Sequence, residues 1–130
     1  MNISQMAKRG ILTGTVMLAL AVLIGAFGAH GLKAIVTPEK LVTFETGVRY
    51  HFYHGFGLIL LGLFAQLFQS LRLSVSLYSF LVGIVLFSFN CYLYVLTDMK
   101  IFAMIVPVGG LLFVVGWVNF AWKVLKLNYK

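Results

Sequence analysis

The stretch Ile101–Trp122, IFAMIVPVGGLLFVVGWVNFAW, contains no charged side chain and consists almost entirely of apolar residues. A helix of that length extends about 33 Å, which matches the roughly 30 Å hydrocarbon core of a lipid bilayer. Its apolar residues run continuously and do not alternate with period two, so a transmembrane β-strand is excluded. This stretch predicts a transmembrane helix.

Three other apolar runs of similar length precede it, at about residues 10–29, 50–68 and 75–96. Together with the fourth, at about residues 101–122, they leave no room for a separate aqueous domain. The connections between the last three are short, which forces neighbouring helices to run antiparallel. The sequence therefore predicts an all-α fold, in which residues 1–130 form a single integral membrane bundle of four transmembrane helices.

The composition agrees with this prediction, since 62% of the residues are hydrophobic and only 10% are charged. Soluble domains contain roughly 45–50% apolar and about 25% charged residues. The net charge of +7 comes from basic residues at the span ends, not from one hydrated face. This distribution indicates the lipid bilayer as partner and excludes nucleic acid.

The long connection between the first two spans contains a helix start. The tripeptide Thr37–Glu39 places an N-cap residue, a proline at the first helical position and an acid in the first turn. Apolar residues then recur at helical spacing among charged ones, at Leu41, Phe44 and Val48. We expect an amphipathic interfacial segment here that continues into the second span.

Basic residues at the two ends of the bundle predict its orientation. An even number of spans places both termini on one side, together with six cations: Lys8, Arg9, Arg72, Lys123, Lys126 and Lys130. The opposite side has four cations and all three acids: Lys33, Lys40, Arg49, Lys100, Glu39, Glu45 and Asp98. The excess of basic residues predicts that both termini are cytoplasmic.

Small residues follow helical spacing in every span and predict the helix–helix contacts, because close backbone approach drives packing in lipid. The candidate packing residues are Gly14, Ala21, Gly25, Gly28, Gly47, Gly62, Gly83, Gly109 and Gly116. The intramembrane amides Asn90 and Asn119 are expected to form hydrogen bonds between helices.

A candidate polar site lies where the second span begins. It comprises His30, Glu45, Arg49, Tyr50, His51, Tyr53 and His54. At 100° per residue, Glu45, Arg49 and Tyr53 share one face of a helix, whereas the two histidines of this helix share another.

Three interpretations of this site remain open. In the first, the side chains are structural and satisfy one another and the backbone. In the second, His30 binds a metal or haem with His51 or His54, although no metal-binding motif supports this. In the third, Glu45, Arg49 and the histidines handle protons or a solute. No pattern predicts catalytic residues or a cofactor, and the single cysteine, Cys91, excludes an intramolecular disulfide.

Four stretches together resemble a known family: GAFGAHGL (25–32), TGVRYHFYH (46–54), GIVLFS (83–88) and PVGGLLF (107–113). They are similar to the small membrane proteins typified by bacterial YgdD and YwdK. One departure is the sequence Ser88-Phe89-Asn90, where smaller residues are expected. The resemblance implies a four-span protein of the bacterial cytoplasmic membrane and supplies no activity.

The main functional hypothesis is therefore a non-enzymatic scaffold or accessory subunit, whose partner is a second copy or another membrane protein. The alternative is a small transporter or channel-like protein with its polar site at the outer end of the first two helices. A metal- or haem-binding membrane protein is the third hypothesis.

Overall fold

The computed structural model describes residues 2–127, which form helices and turns and contain no strand. The five α-helices are α1 (Gln5–His30), α2 (Pro38–Leu67), α3 (Ser74–Ile84), α4 (Asn90–Thr97) and α5 (Lys100–Leu125). A 3₁₀ turn at Leu32–Ala34 follows α1, and a π-helical segment at Val85–Phe89 joins α3 to α4. Since no break separates α3, the π-helical segment and α4, they form one rod, Ser74–Thr97, which we call the third rod.

Three helical stretches are long and apolar enough to cross a membrane by length and composition: Gln5–Ala34, the third rod and Lys100–Leu125. They contain three of the four predicted spans. The predicted second span lies within α2, which does not meet the same criterion. The first half of α2 contains four charged side chains, those of Glu39, Lys40, Glu45 and Arg49.

Helix α1 begins at Gln5 and not near residue 10, because Ser4 caps it. The Ser4 hydroxyl accepts a hydrogen bond from the Ala7 N–H at 3.1 Å. The backbone of the same residue donates to Gln66 Oε1 at 2.9 Å, which ties the start of α1 to the end of α2. Lys8 and Arg9 are therefore helical residues within the first two turns.

Helix α2 begins as the sequence predicts, with Thr37 as N-cap and Pro38 at the first helical position. The Lys40 N–H donates to the Thr37 hydroxyl at 3.4 Å. From there the helix continues without interruption for 30 residues. The predicted interfacial segment and the predicted second span thus lie on a single helix.

Glycines bring α1 and α2 into backbone contact along an antiparallel interface. A Cβ atom on Gly10 would lie 2.8 Å from Gly62 Cα, and one on Gly14 would lie 2.8 Å from the Gly55 carbonyl oxygen. At the other end of the interface, Gly28 lies against the ring of Phe44. The two helices therefore run side by side from the start of α1 to its end.

The Gly62→Ala variant is expected to lose about 1–3 kcal/mol of stability by overpacking. Its added Cβ would lie 2.9 Å from Ala7 O and from Ile11 N, which are backbone atoms of α1. Gly25→Ala is the matched control, because its nearest neighbour is the Val48 Cγ1 atom at 3.2 Å, a side-chain atom that has room to shift. Thermal unfolding in detergent measures both, and an equal loss in the two variants would contradict this interface.

The third rod lies at the centre of the bundle. In its most apolar stretch 44% of the residues are buried, compared with 17% in the corresponding stretches of α1 and α5. It packs on α2 along one face and on α5 along another. On α5 the buried residues form one narrow stripe: Gly109, Phe113, Gly116 and Phe120. The ring of Phe80, on α3, lies against Gly57 of α2 and against Gly116 of α5. Helices α1 and α5 are therefore the outer helices.

Candidate functional site

The structure divides the seven predicted polar-site residues between the interior and the surface. His51 and His54 are buried, with 0% and 4% of their surface exposed. The remaining five are exposed: His30, Glu45, Arg49, Tyr50 and Tyr53. The two histidines of α2 thus lie on its inward face, whereas the charged pair lies on its outward face.

His30 does not join the other two histidines. It ends α1, where Gly28 packs against Phe44 in the second turn of α2. His51 lies farther along α2 by roughly 10 Å of helix axis. Residues 2–127 contain no group of three His, Cys, Asp or Glu side chains placed to hold a metal ion. The structure therefore does not bring His30 together with His51 or His54, as the metal or haem interpretation requires.

Both ring nitrogens of His54 have hydrogen-bond partners. Nδ1 lies 2.8 Å from the Tyr50 carbonyl oxygen, which can only accept, so Nδ1 carries the proton and donates. Nε2 is then unprotonated and accepts from the Trp117 indole N–H at 3.1 Å. This pairing assigns one neutral tautomer to His54 and connects α2 to α5.

Aromatic contacts hold the same imidazole in place. The ring stacks on Phe113 with 3.4 Å between centroids and 7° between planes, and it meets the edge of Phe80 at 5.1 Å. His54 therefore contacts α3 and α5 at once. Trp117 and Phe113 were not among the residues predicted for the site. The one sequence feature that could have indicated Trp117 is its indole N–H, a hydrogen-bond donor inside an apolar span.

His51 is placed differently, because only one of its ring nitrogens has a partner. Nδ1 lies 3.1 Å from the Tyr92 hydroxyl oxygen, and the ring meets Phe89 edge-on at 5.4 Å. Nε2 is buried with no hydrogen-bond partner, and so is the Ser88 hydroxyl. Whichever tautomer His51 adopts, one polar atom remains unsatisfied.

The π-helical segment and Gly47 create this second polar position. A Cβ on Gly47 would lie 2.8 Å from Cys91 Cβ and 3.2 Å from the Ser88 carbonyl oxygen, so only glycine permits this approach. The Asn90 amide donates to the Val85 carbonyl oxygen at 3.0 Å, a bond across the π-helical segment. The sequence predicted a hydrogen bond between helices for Asn90. Its amide instead bonds within the third rod.

The other intramembrane amide does connect two helices. The Ser76 hydroxyl of α3 donates to Asn119 Oδ1 of α5 at 2.9 Å. This is the interhelical hydrogen bond that the sequence predicted for Asn119. It adds a second polar link between the centre of the bundle and α5.

Glu45 and Arg49 line a small cavity between the end of α1 and the start of α2. Arg49 donates through Nη2 to the Thr46 hydroxyl at 2.9 Å, and within residues 2–127 the one ion pair joins Lys40 to Asp98 at 2.8 Å. The cavity has a volume of about 260 Å³, and its lining comprises Gly25, Gly28, Ala29, Phe44, Glu45, Val48 and Arg49.

A larger cavity of about 530 Å³ opens between α2 and α5, over the ring of His54. Aromatic side chains form most of its wall, and its lining comprises Tyr50, Tyr53, His54, Phe87, Gly110, Phe113, Val114 and Trp117. Because both nitrogens of His54 are already paired, the imidazole offers this cavity no free donor or acceptor.

Sequence comparison places these features in a family. The model described as "Protein of unknown function (DUF423)" matches residues 24–110, which is more than half of the chain and includes both buried histidines and the third rod. The chain belongs to the DUF423 family. No solved structure matches it.

Relatives of this DUF423 protein are named membrane proteins. It is 38% identical over 110 residues to the UPF0382 membrane protein YwdK of Bacillus subtilis, covering 83% of this chain and 89% of the relative. It is 36% identical over 110 residues to the UPF0382 membrane protein SH2409 of Staphylococcus haemolyticus, covering 85% and 89%. The resemblance to the YwdK group is confirmed, and the DUF423 protein is a membrane protein.

Proposed function

We propose that this DUF423 protein is a non-enzymatic scaffold or accessory subunit of the bacterial cytoplasmic membrane, which it crosses four times with both termini in the cytoplasm. The observation that carries the functional part is the pairing of His54. One ring nitrogen donates to the Tyr50 carbonyl oxygen of the same helix, and the other accepts from Trp117 of α5, so both are used inside the protein and one of them links α2 to α5.

The proximity of α2 to α1 supports a crossing by α2. Glycine contacts extend from Gly10 opposite Gly62 to Gly28 opposite Phe44, a shared length of about 27 Å. A helix that accompanies a spanning helix over this distance passes through the same layer of lipid. The histidines of α2 do not oppose this, because they face the protein interior, where polar side chains in membrane helices are normally found.

The ion pair between Lys40 and Asp98 supports the proposed orientation. It places the start of α2 and the turn before α5 at the same end of the bundle. Within residues 2–127 the opposite end holds five cations against four at this end, and this excess favours the cytoplasmic side: Lys8, Arg9, Arg72, Lys123 and Lys126.

The scaffold proposal rests on the use of interior polar groups as links and on the exposure of α1 and α5. Leu23 of α1 and Leu111 of α5 are both 67% exposed, on faces that no other helix of this chain covers. A photo-crosslinking residue at each position, in native membranes, is expected to give a discrete adduct with a second copy or with another membrane protein. The buried Leu58 is the control position, and lipid adducts alone at both outer positions would contradict the proposal.

The transporter alternative has one observation in its favour, namely the unpaired and buried His51 Nε2 and Ser88 Oγ atoms. A proton-handling role predicts a proton flux in proteoliposomes that His51→Phe abolishes and His30→Phe retains. The scaffold role predicts that the wild type and both variants match protein-free vesicles. A pH-sensitive dye inside the vesicles measures the flux, and a flux lost only in His51→Phe would favour the alternative.

A further inference from the structure

We propose that a cavity at the end of the bundle where α1 begins and α5 ends binds the phosphate group of an anionic glycerophospholipid. The cavity lies between the α2–α3 connection and the end of α5, and its volume is about 320 Å³. Its lining comprises Ser70, Leu71, Arg72, Lys123, Lys126 and Leu127. This volume is about ten times the roughly 30 Å³ share of a water molecule in the liquid, so the cavity has room for a head group.

Within residues 2–127, the cations around this cavity form no ion pair. Three of its six lining residues are cations, whereas the only acids of the chain are Glu39, Glu45 and Asp98. All three acids lie at the opposite end of the bundle, where Asp98 already pairs with Lys40. Cations gathered without an acidic side chain beside them repel one another, and an anion bound among them relieves that repulsion.

The start of α3 follows the cavity-lining residues in the chain and is not itself part of the lining. Helix α3 begins at Ser74, directly after the cavity-lining Arg72 and the buried Leu73, and no side chain caps its first N–H groups. Free N–H groups and the positive end of the helix dipole favour an anion at such a position. The cations and the helix start therefore favour the same ligand charge.

The apolar neighbours of the cavity favour a lipid over a free anion. Leu71 and Leu127 complete its lining, and Lys126 Nζ lies 4.5 Å from the centroid of the Trp122 ring. Trp122 and Leu125 are 56% and 79% exposed at the end of an apolar helix. A tryptophan beside lysines at the end of a spanning helix is typical of the head-group layer, where acyl chains lie on one side and phosphates on the other.

Native mass spectrometry of the full chain in detergent, titrated with phosphatidylglycerol or phosphatidylcholine, tests this site. One molecule of phosphatidylglycerol is expected to bind per chain, with a higher affinity than phosphatidylcholine. The double variant Lys123→Gln, Lys126→Gln is expected to weaken its binding by about 30-fold, since each basic residue contributes about fivefold near an anionic lipid. The double variant Lys8→Gln, Arg9→Gln removes the same charge from the same end and is expected to retain binding.

Three results would overturn the site. An equal loss in the two double variants would mean that only the overall charge attracts the lipid. Failure of Lys123→Arg, Lys126→Arg to bind, with an unchanged unfolding midpoint, would exclude a charge-based site. Displacement of phosphatidylglycerol by millimolar inorganic phosphate would identify a free anion as the ligand. The inference needs no partner subunit, so these results are independent of the scaffold proposal.

Discussion

Replacing Gly109 by alanine is expected to destabilise the protein by about 3 kcal/mol, the upper part of the range for overpacking. A Cβ at this position would collide with the backbone N of Phe87 and would lie 2.7 Å from the carbonyl carbon of Leu86. Both atoms belong to the π-helical segment of the third rod, so no flexible side chain is available to move aside. Helix α5 would have to shift away from the centre of the bundle.

Gly110→Ala is the matched control, because it makes the same chemical change one residue later in the same helix. Its Cβ would meet only the ring of Phe87, at 3.7 Å, which is an ordinary van der Waals distance. We expect a change within about 0.5 kcal/mol, as for substitutions that disturb no packing. Reversible unfolding in mixed detergent micelles measures both variants. A Gly109→Ala protein as stable as Gly110→Ala would show that α5 does not pack on the π-helical segment.

His54→Ala is expected to lose about 3 kcal/mol of stability, because it removes a buried stacked ring and leaves the Trp117 indole N–H without its partner. Trp117→Phe removes the same hydrogen bond from the other side and leaves His54 Nε2 unpaired. The two changes share one interaction, so their effects are expected to be less than additive in the double variant by about 0.5–3 kcal/mol.

His30→Ala is the control for the His54 and Trp117 variants. His30 is exposed at the end of α1, and its replacement is expected to change stability by no more than about 0.5 kcal/mol. Additive effects of the His54 and Trp117 changes would contradict the hydrogen bond between α2 and α5. A loss in His30→Ala equal to that in His54→Ala would contradict the separation of the two histidines.

Helix starts and apolar spans were predictable from the sequence because their signals are local. Thr37 and Pro38 define the start of α2 through their own backbone preferences, and the uncharged stretch after Lys100 forms α5. Ser4 is also a local signal, but the basic residues after it suggested a flank outside the helix. A capping residue decides where a helix starts, whereas charge reports only on its surroundings.

The partners of the buried histidines were not predictable, because they depend on which helices become neighbours. Helical periodicity places His51 and His54 on one face of α2 but does not identify the facing residues. Trp117 lies 63 positions after His54 in the chain, and their contact requires the register of two helices that the third rod holds apart. The π-helical segment likewise leaves no mark in an apolar run, although Asn90, which bonds across it, stood out as an unexpected side chain.

The crossing of the membrane by α2 is tested most directly by labelling its two ends. Glu39 in the first turn of α2 and Gln69 just after its end are both exposed, so single cysteines at these positions are suitable once the buried Cys91 is replaced by alanine. Intact bacterial spheroplasts that produce the full chain are treated with a membrane-impermeant maleimide. Four crossings with cytoplasmic termini predict labelling of Glu39→Cys from outside and labelling of Gln69→Cys only after permeabilisation. Equal labelling of both positions in intact spheroplasts would show that α2 does not cross the membrane.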